Sequence, residues 1–257
     1  MRPKKSLGQH FLINEDIARQ IVDLAQAGPT DTVWEIGPGR GILTRALLER
    51  GCQVKAFELD RRLEQHLRDQ FGPDLELVIK DILQVDWEEE LSNTGKRVKI
   101  IANIPYNITS PLLSLMEKHH QHFESATLMV QEEVARRICA SPGTKAYGVM
   151  TLRLQRIFDA RILMFVTREN FQPVPEVDSA VLSLKQRSIP PNIPDLKKYL
   201  LLISQAFAHR RKTLRNNLAT IVPRDRLDEI QRQSGIDLGR RGETLSETEF
   251  ITLSRYL

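Results

Sequence analysis

Short apolar runs alternate with helix-like segments through the first half of this 257-residue chain, and this alternation constrains the fold more than any other feature. The segments between the runs show helical periodicity in their apolar residues. Strands that alternate with helices at this spacing predict βαβ units, so we expect a doubly wound, mostly parallel α/β sheet. The five predicted strands are residues 32–37, 53–60, 75–81, 97–103 and 126–131, and the helices between them include 41–50, 61–71 and 110–120.

The second half of the chain predicts the end of the sheet and a helical tail. Residues 134–140 and 145–158 are predicted as helices, and residues 161–167 and 177–187 as an antiparallel pair of strands, which makes seven strands in all. The segment SIPPNIP has three prolines in seven residues, which is typical of a linker. Beyond it only helices are predicted, at 195–221, 224–234 and 246–257. We therefore expect two domains, 1–189 and 190–257.

Composition excludes several classes of protein and gives one indication about partners. No apolar run approaches the roughly 20 residues that span a bilayer, so we expect no membrane partner. The two isolated cysteines predict neither a disulfide framework nor a zinc site, and a reducing cytoplasm is the expected location. Lys and Arg balance Asp and Glu, 25 against 25, up to residue 189, whereas residues 190–257 hold 12 against 8. This basic tail indicates either a polyanionic partner or a solvated helical surface.

Polar residues and glycines follow the first four predicted strands, where open α/β sheets bind ligands. The first strand is followed by a G-x-G-x-G turn formed by Gly37, Gly39 and Gly41, which lets the backbone approach a ligand closely. Dinucleotide-binding proteins have G-x-G-x-x-G instead, so this spacing argues against the interpretation of the chain as a nicotinamide dehydrogenase. Glu58 ends the second strand and is placed to accept ribose hydroxyls.

Asp81 and Ile82 follow the third strand, and Asn103 ends the fourth. An acid next to an apolar residue suits the amino group and the face of an adenine. Asp60 and Asp81 alternatively serve only as helix N-caps. The coincidence of four such positions at one edge of the sheet favours a ligand site.

The motif N-I-P-Y, residues 103–106, can hold a planar group that carries an amine. Asn103 offers a donor and an acceptor, Pro105 stiffens the backbone, and Tyr106 offers a flat ring that can stack on a base. The alternative is a rigid loop in which the Asn103 side chain only caps nearby backbone groups and Tyr106 belongs to the core. The position of the motif after the fourth strand of a G-x-G-x-G fold favours the first interpretation.

The motifs E-I-G-P-G-R-G and N-I-P-Y resemble those of the S-adenosylmethionine-dependent methyltransferases that act on exocyclic amines. L-G-Q-H-F-L (7–12), F-Q-P-V-P-E-V-D-S (171–179) and Q-A-F-A-H-R-R-K-T-L-R-N-N-L (205–218) extend the likeness. Together the motifs are similar to those of the ribosomal RNA adenine N6-dimethyltransferases, and the tail is most like the small-subunit (16S) branch. The resemblance covers nearly the whole chain.

The resemblance implies a Rossmann-like class I methyltransferase domain, with residues 1–16 contributing to its cofactor site, and a helical RNA-binding domain. It implies S-adenosyl-L-methionine as cofactor, S-adenosyl-L-homocysteine as product, and a monomer. The substrate would be two adjacent adenines in a hairpin near the 3′ end of 16S rRNA, within the small subunit. Tyr106 and Phe171 would hold the extruded adenine. The implied catalytic residues are Asn103, Pro105, Tyr106 and Phe171, and the implied cofactor contacts are His10, Leu12, Gly37, Gly39, Gly41, Glu58, Asp81, Ile82 and Asn103. His10 departs from the Asn found in many relatives, so its backbone is the expected contact.

Two basic clusters are predicted to contact RNA phosphates. One comprises Arg210, Arg211, Lys212 and Arg215, and the other includes Lys4 and Lys5. The alternative is that some of these side chains pair with acids such as Asp228, and we expect about half to contact RNA. The three histidines of residues 119–122 have no acidic or thiol companion at ligand spacing, so we predict a solvated helix end and no metal site.

Two further functions stay open at this point. One is methylation of a large-subunit adenine, as in the enzymes that confer macrolide resistance. The other is a non-catalytic, rRNA-binding assembly factor.

Overall fold

The chain is described by a computed structural model that covers residues 7–92 and 94–257, and it divides into two compact units. The first, here called the sheet unit, ends at Ala135 and resumes over Asp159–Gln186. The second, the helical unit, comprises Arg136–Phe158 and Arg187–Leu257. The division into domains 1–189 and 190–257 therefore stays a prediction, and in the structure residues 136–158 group with residues 187–257. Tyr147 and Leu152 belong to the same buried apolar cluster as the helices of the tail.

Seven strands form one sheet in the order β4-β3-β2-β5-β6-β9-β7. The pairs β3–β4, β2–β3, β2–β5 and β5–β6 are parallel, and β6–β9 is antiparallel. The predicted seven-stranded, mostly parallel α/β sheet is confirmed. Its strands are β2 (Thr32–Ile36), β3 (Gln53–Glu58), β4 (Leu75–Ile79), β5 (Val98–Asn103), β6 (Phe123–Gln131), β7 (Phe158–Val166) and β9 (Ser179–Gln186).

Two-residue strands outside this sheet were not predicted from the sequence. β1 (Phe11–Leu12) pairs antiparallel with β8 (Phe171–Gln172), in the register Leu12 opposite Phe171. Both strands are too short to give a period-2 pattern, and this explains why the sequence does not reveal them. The pair fixes the described N-terminal segment to the chain just before β9.

The helices of the sheet unit connect its strands. Helix α1 begins after Asn14, whose side chain accepts hydrogen bonds from the backbone N–H groups of Asp16 and Ile17. Such a cap satisfies donors that the first turn leaves unpaired. The helices from the N-terminus to α6, which crosses the unit boundary, are α1 (Glu15–Leu24), α2 (Ile42–Glu49), α3 (Glu64–Phe71), α4 (Trp87–Ser92), α5 (Thr109–Lys118) and α6 (Glu132–Ile138).

The helical unit has its own buried core, which includes Tyr199, Leu227 and Phe250. The segment 195–221, predicted as helical throughout, is interrupted after Ala206, and the basic residues 210–212 lie in the intervening turn. Thr213 caps the helix that follows this turn. The helices are α7 (Val149–Gln155), α8 (Leu196–Ala206), α9 (Leu214–Leu218), α10 (Arg224–Ser234) and α11 (Glu247–Ser254). No helix in the described part of the chain is long and apolar enough to cross a bilayer.

Aromatic packing links β2, β3 and α4 beneath the sheet edge. The Trp34 ring lies 4.8 Å from the Phe57 ring and 5.5 Å from the Trp87 ring, centroid to centroid, and all three side chains are buried. Such tilted and edge-to-face pairs stabilise a core beyond the area that they bury. Trp87 also donates a hydrogen bond from Nε1 to the Ile82 carbonyl, at 3.0 Å.

The histidines at the end of α5 are not the solvated helix end that we predicted from sequence. His119 is only 7% exposed, because its ring stacks on Trp87 at 5.9 Å. Glu88 of α4 approaches both His119 and His122, so an acidic companion is present as well. The sequence could not show it, because Glu88 lies 31 residues before His119.

Candidate active site

One cavity of about 220 Å³ lies at the carboxyl edge of the parallel strands. It is bounded by the ends of β2, β3, β4 and β5 and by the segment from Leu7 to Leu12. Most of the residues predicted from sequence to contact a cofactor line this cavity. They are His10, Leu12, Gly37, Gly39, Glu58, Asp81, Ile82 and Asn103.

The glycine-rich turn after β2 has a backbone that only glycine adopts easily. Gly39 and Gly41 have φ of 59° and 80°, in the left-handed region. A Cβ on Gly39 would lie 2.8 Å from Phe11 Cδ1, and one on Gly41 would lie 2.4 Å from Phe71 Cε2. Gly41 therefore serves the packing of α2 on α3, whereas Gly39 lets Phe11 pack against the turn beside the cavity.

Glu58 holds this turn against β3. Its Oε2 accepts a hydrogen bond from the Gly39 N–H at 3.1 Å, and its Oε1 accepts one from the Asp60 N–H at 2.8 Å. Burial raises the pKa of the carboxyl group, and the two backbone donors oppose that shift. The side chain is thus preorganised as an acceptor at the cavity wall.

Asp60 and Asp81 both act as caps, which is the alternative that the sequence left open. Asp60 Oδ1 accepts from the Arg62 N–H at 3.2 Å, and Asp81 Oδ1 accepts from the Leu83 N–H at 2.9 Å. Asp81 also lines the cavity, next to Ile82. A cap uses only part of a carboxylate's capacity, so Asp81 retains acceptor positions for a ligand.

The side-chain amide of Asn103 has one orientation imposed by the N-terminal segment. Its Nδ2 donates to the backbone carbonyl of His10 at 3.3 Å. The Oδ1 atom is then the acceptor left for a ligand. This contact also explains how a His serves at position 10, since the backbone carbonyl is common to every residue.

The N-I-P-Y loop is fixed by three further hydrogen bonds. The Ile104 N–H donates to the Met129 carbonyl at 3.0 Å, and the Pro105 carbonyl accepts from the Ile108 N–H at 3.1 Å. Because Pro105 is already engaged, the Ile104 carbonyl is the better candidate for a second acceptor beside Asn103. The Tyr106 hydroxyl bonds to Ser179 Oγ at 2.7 Å, and burial raises its pKa, so it is neutral.

Phe171 does not line the cavity, although we predicted that its ring stacks on a base. Its side chain is only 1% exposed and is part of the apolar core of the sheet unit. The ring that stacks on Tyr106 is instead that of His10, at 5.6 Å and 25°. The His10 Nδ1 lies 2.8 Å from the Pro173 carbonyl, to which it donates when that nitrogen carries the proton. Stacking by Phe171 requires a rearrangement of β8 and stays a prediction.

Glu35 is a feature that the sequence analysis missed. The residue is fully buried below the glycine-rich turn, and its Oε2 accepts a hydrogen bond from Thr44 Oγ1 at 2.6 Å. Burial raises the pKa of Glu35 to about 8, with a smaller contribution from nearby Glu58. An acid that precedes a glycine turn is the only signal in the sequence, and it does not reveal that the carboxyl is protonated.

The basic residues predicted to contact RNA differ in their surroundings within the helical unit. Arg210 donates to the carbonyls of Lys145 and Tyr147 and pairs with Glu243 at 2.8 Å. Arg215 pairs with Asp228 at 2.7 Å, as the alternative interpretation expected. Lys4 and Lys5 lie outside the described residues.

Arg211 and Lys212 are exposed in the turn between α8 and α9. Neither side chain has a hydrogen bond or an ion pair to another described residue. They are therefore the two members of the basic stretch whose charge is available to a phosphate.

Comparison with known proteins identifies close relatives over the full length. Residues 1–257 match the family described as ribosomal RNA adenine dimethylase. Ribosomal RNA small subunit methyltransferase A of Geobacter metallireducens is 41% identical, with 99% of this chain and 95% of the relative covered. The protein of the same name from Geobacillus kaustophilus is 40% identical, with 99% and 90% covered.

Solved structures give the same fold. A dimethyladenosine transferase from Plasmodium falciparum has a TM-score of 0.77 at 26% identity, with 95% of this chain and 96% of that chain covered. The 23S rRNA methyltransferase ErmE has a TM-score of 0.73 at 28% identity, with 96% and 99% covered.

Because Glu35 is protonated in the folded protein, we expect the protein to lose stability as pH rises. The Glu35→Gln variant should not show this loss. The folded carboxyl keeps its proton up to about pH 8, whereas the unfolded one releases it near 4.5, so the free energy of unfolding falls as pH rises between these values. Between pH 6 and pH 8 this group alone lowers the free energy of unfolding by about 2 kcal/mol. Urea unfolding of the parent and of Glu35→Gln at several pH values measures the difference, with Glu124→Gln, an exposed acid, as the control. Parallel pH dependences of parent and Glu35→Gln would contradict the assignment.

Proposed function

The chain belongs to the ribosomal RNA adenine dimethylase family, and we propose that it methylates the N6 amines of two adjacent adenines of 16S rRNA. The adenines would lie in the hairpin near the 3′ end, within a maturing small ribosomal subunit in the cytoplasm, with S-adenosyl-L-methionine as the methyl donor and the chain acting as a monomer. The relatives of about 40% identity support the small subunit, since they carry that subunit in their names. The observation that carries the proposal is the orientation of Asn103 beside Tyr106 in the cavity.

The cavity residues fit a nucleoside with a charged tail. A side chain on Gly39 would clash with Phe11, so the glycine lets Phe11 pack against the turn at the cavity wall. Glu58, fixed by two backbone donors, can accept the ribose hydroxyls, and Asp81 with Ile82 can hold the adenine amino group and face. When bound, S-adenosyl-L-methionine supplies an electrophilic methyl group on a sulfonium.

Asn103 and Ile104 would orient the target amine. The lone pair of an adenine N6 is delocalised into the ring, so the nitrogen is a poor nucleophile. Acceptance of its two hydrogens by Asn103 Oδ1 and the Ile104 carbonyl directs the lone pair out of the ring plane. That gain comes from positioning and fixed dipoles, and no strong base is required.

Tyr106 would hold the ring of the target base. Its hydroxyl is anchored to Ser179, which fixes the plane of the phenol ring. Stacking on such a ring is worth about 1–3 kcal/mol per base. In this structure the His10 ring lies against Tyr106, so an incoming base would stack with His10 or replace it.

Glu58→Gln is expected to weaken the binding of both S-adenosyl-L-methionine and S-adenosyl-L-homocysteine about tenfold or more. The amide retains the shape of the side chain but replaces charge-assisted hydrogen bonds to the ribose with neutral ones. Isothermal calorimetry measures both affinities, and Glu124→Gln, an exposed acid on β6, is the control. Equal affinities in parent and Glu58→Gln would remove Glu58 from the cofactor site.

Asn103→Ala is expected to reduce methyl transfer about 100-fold or more, because an oriented polar group at the reacting centre is lost. Transfer of labelled methyl groups to isolated, unmethylated 30S and 50S particles measures the rate. Sequencing of the methylated adenines identifies the sites. Asn192→Ala, an exposed residue in the linker, is the control.

Each outcome of that experiment separates the proposed function from an alternative. Methylation of the 50S particle alone would indicate the large-subunit activity, which the structural likeness to ErmE makes the second candidate. Binding of 30S particles by the parent without any transfer would indicate an assembly factor. Full activity of Asn103→Ala would show that Asn103 does not orient the amine.

The double variant Arg211→Ala/Lys212→Ala is expected to bind 30S particles less tightly, with a log–log salt slope shallower by about 1.4–1.8. The expected change follows from the loss of two phosphate contacts at about 0.7–0.9 each. Lys197→Ala/Arg255→Ala removes the same charge from other exposed positions and serves as the control. The affinity of the parent and of both double variants for 30S particles is measured at several salt concentrations. An unchanged slope would place the RNA-binding surface elsewhere.

A further inference from the structure

Glu88, His119 and His122, here called the histidine–glutamate cluster, lie together in the sheet unit. Glu88 is in the first turn of α4, His119 follows the end of α5, and His122 precedes β6. The His122 N–H donates to the His119 carbonyl at 3.0 Å, which fixes the turn that carries both rings. None of the three residues lines the cavity described above.

The spacing of the ligand atoms is close to that of a tetrahedral metal centre. His119 Nδ1 lies 3.4 Å from Glu88 Oε2, and His122 Nε2 lies 3.5 Å from Glu88 Oε1. Tetrahedral zinc with bonds of 2.0–2.1 Å places its ligand atoms about 3.3 Å apart. These two distances end on different oxygens of the Glu88 carboxylate. One ligand atom from each residue lies within 4.8 Å of the other two, so the side chains must close by up to about 1.5 Å to share one ion.

The surroundings favour ligation over a simple ion pair. The His119 side chain is buried, so the packing around it sets the position of its ring. Stacking on Trp87 also fixes the orientation of that ring. Glu88 is 61% exposed, so its side chain is free to close on an ion. Gln121 Nε2 lies 3.3 Å from His122 Nε2 and is exposed, so it can turn away.

We propose that the histidine–glutamate cluster binds one divalent transition-metal ion of the zinc class, through His119 Nδ1, His122 Nε2 and a carboxylate oxygen of Glu88. Water fills the fourth position, since Glu88 and His122 face solvent. Two imidazoles and one carboxylate are a donor set that zinc accepts.

The bound ion has a structural effect on the sheet unit. It joins the start of α4 to the turn between α5 and β6, two segments that the sequence separates by about 30 residues. It also fixes His119 against Trp87, whose indole N–H donates to the Ile82 carbonyl at the cavity wall. The ion takes no part in methyl transfer, so the inference stands independently of the proposed function.

Metal titration of the full-length, tag-free protein tests the inference after treatment with a chelator. Cobalt(II) reports on the donor set through its visible absorption. It also reports on occupancy, because a bound cobalt ion next to His119 quenches the fluorescence of Trp87, which stacks on that ring. Zinc affinity is measured by competition with a chromophoric chelator. We expect saturable binding of one ion and a rise in melting temperature with zinc.

Two ligand variants and one control make the result decisive. His122→Ala and Glu88→Gln are each expected to weaken zinc binding at least tenfold and to abolish the rise in melting temperature. His66→Ala, which removes an exposed histidine of α3, is expected to bind like the parent. Circular dichroism and melting in the presence of chelator confirm that the variants fold. Absence of saturable binding by the parent, or parent-like binding by both ligand variants, would overturn the proposal.

Discussion

The carboxylate of Glu58 is the contact on which the cavity depends. It accepts hydrogen bonds from the Gly39 and Asp60 N–H groups, and so it joins the glycine-rich turn after one strand to the turn after the next. Parallel strands end at the same edge, so this one side chain fixes the relative position of two loops that face a ligand. Its burial makes the contact rigid, and rigidity is what a site needs to hold a nucleoside in one pose.

The N-terminal segment supplies the other fixed wall. The His10 backbone carbonyl accepts a hydrogen bond from Asn103 Nδ2. The His10 ring lies between the Tyr106 ring and the Pro173 carbonyl. The short pairing of β1 with β8 keeps this segment in place. The amide that would face a substrate amine is therefore oriented by residues more than 90 positions earlier in the chain.

Some basic side chains of the tail stabilise the fold, whereas others are available for binding. Arg210 and Arg215 are held by carbonyls and acids of the helical unit, whereas Arg211 and Lys212 project from a turn. Neighbouring residues of one basic motif thus differ in role, since some are paired within the unit and others are exposed. A charge count cannot separate them, because pairing depends on acids such as Glu243 that are distant in the sequence.

The sequence alone determined the seven strands of the main sheet, the glycine-rich turn and the positions of Glu58, Asp81 and Asn103, because periodicity and turn chemistry are local properties of the chain. Five separated motifs also sufficed to indicate the family to which the chain belongs. Only the tertiary structure decided that Phe171 is buried, that His10 stacks on Tyr106, and that Glu88 meets the histidines after α5. Each of these results depends on packing between segments far apart in the chain, where burial and contact distance are set by the whole fold.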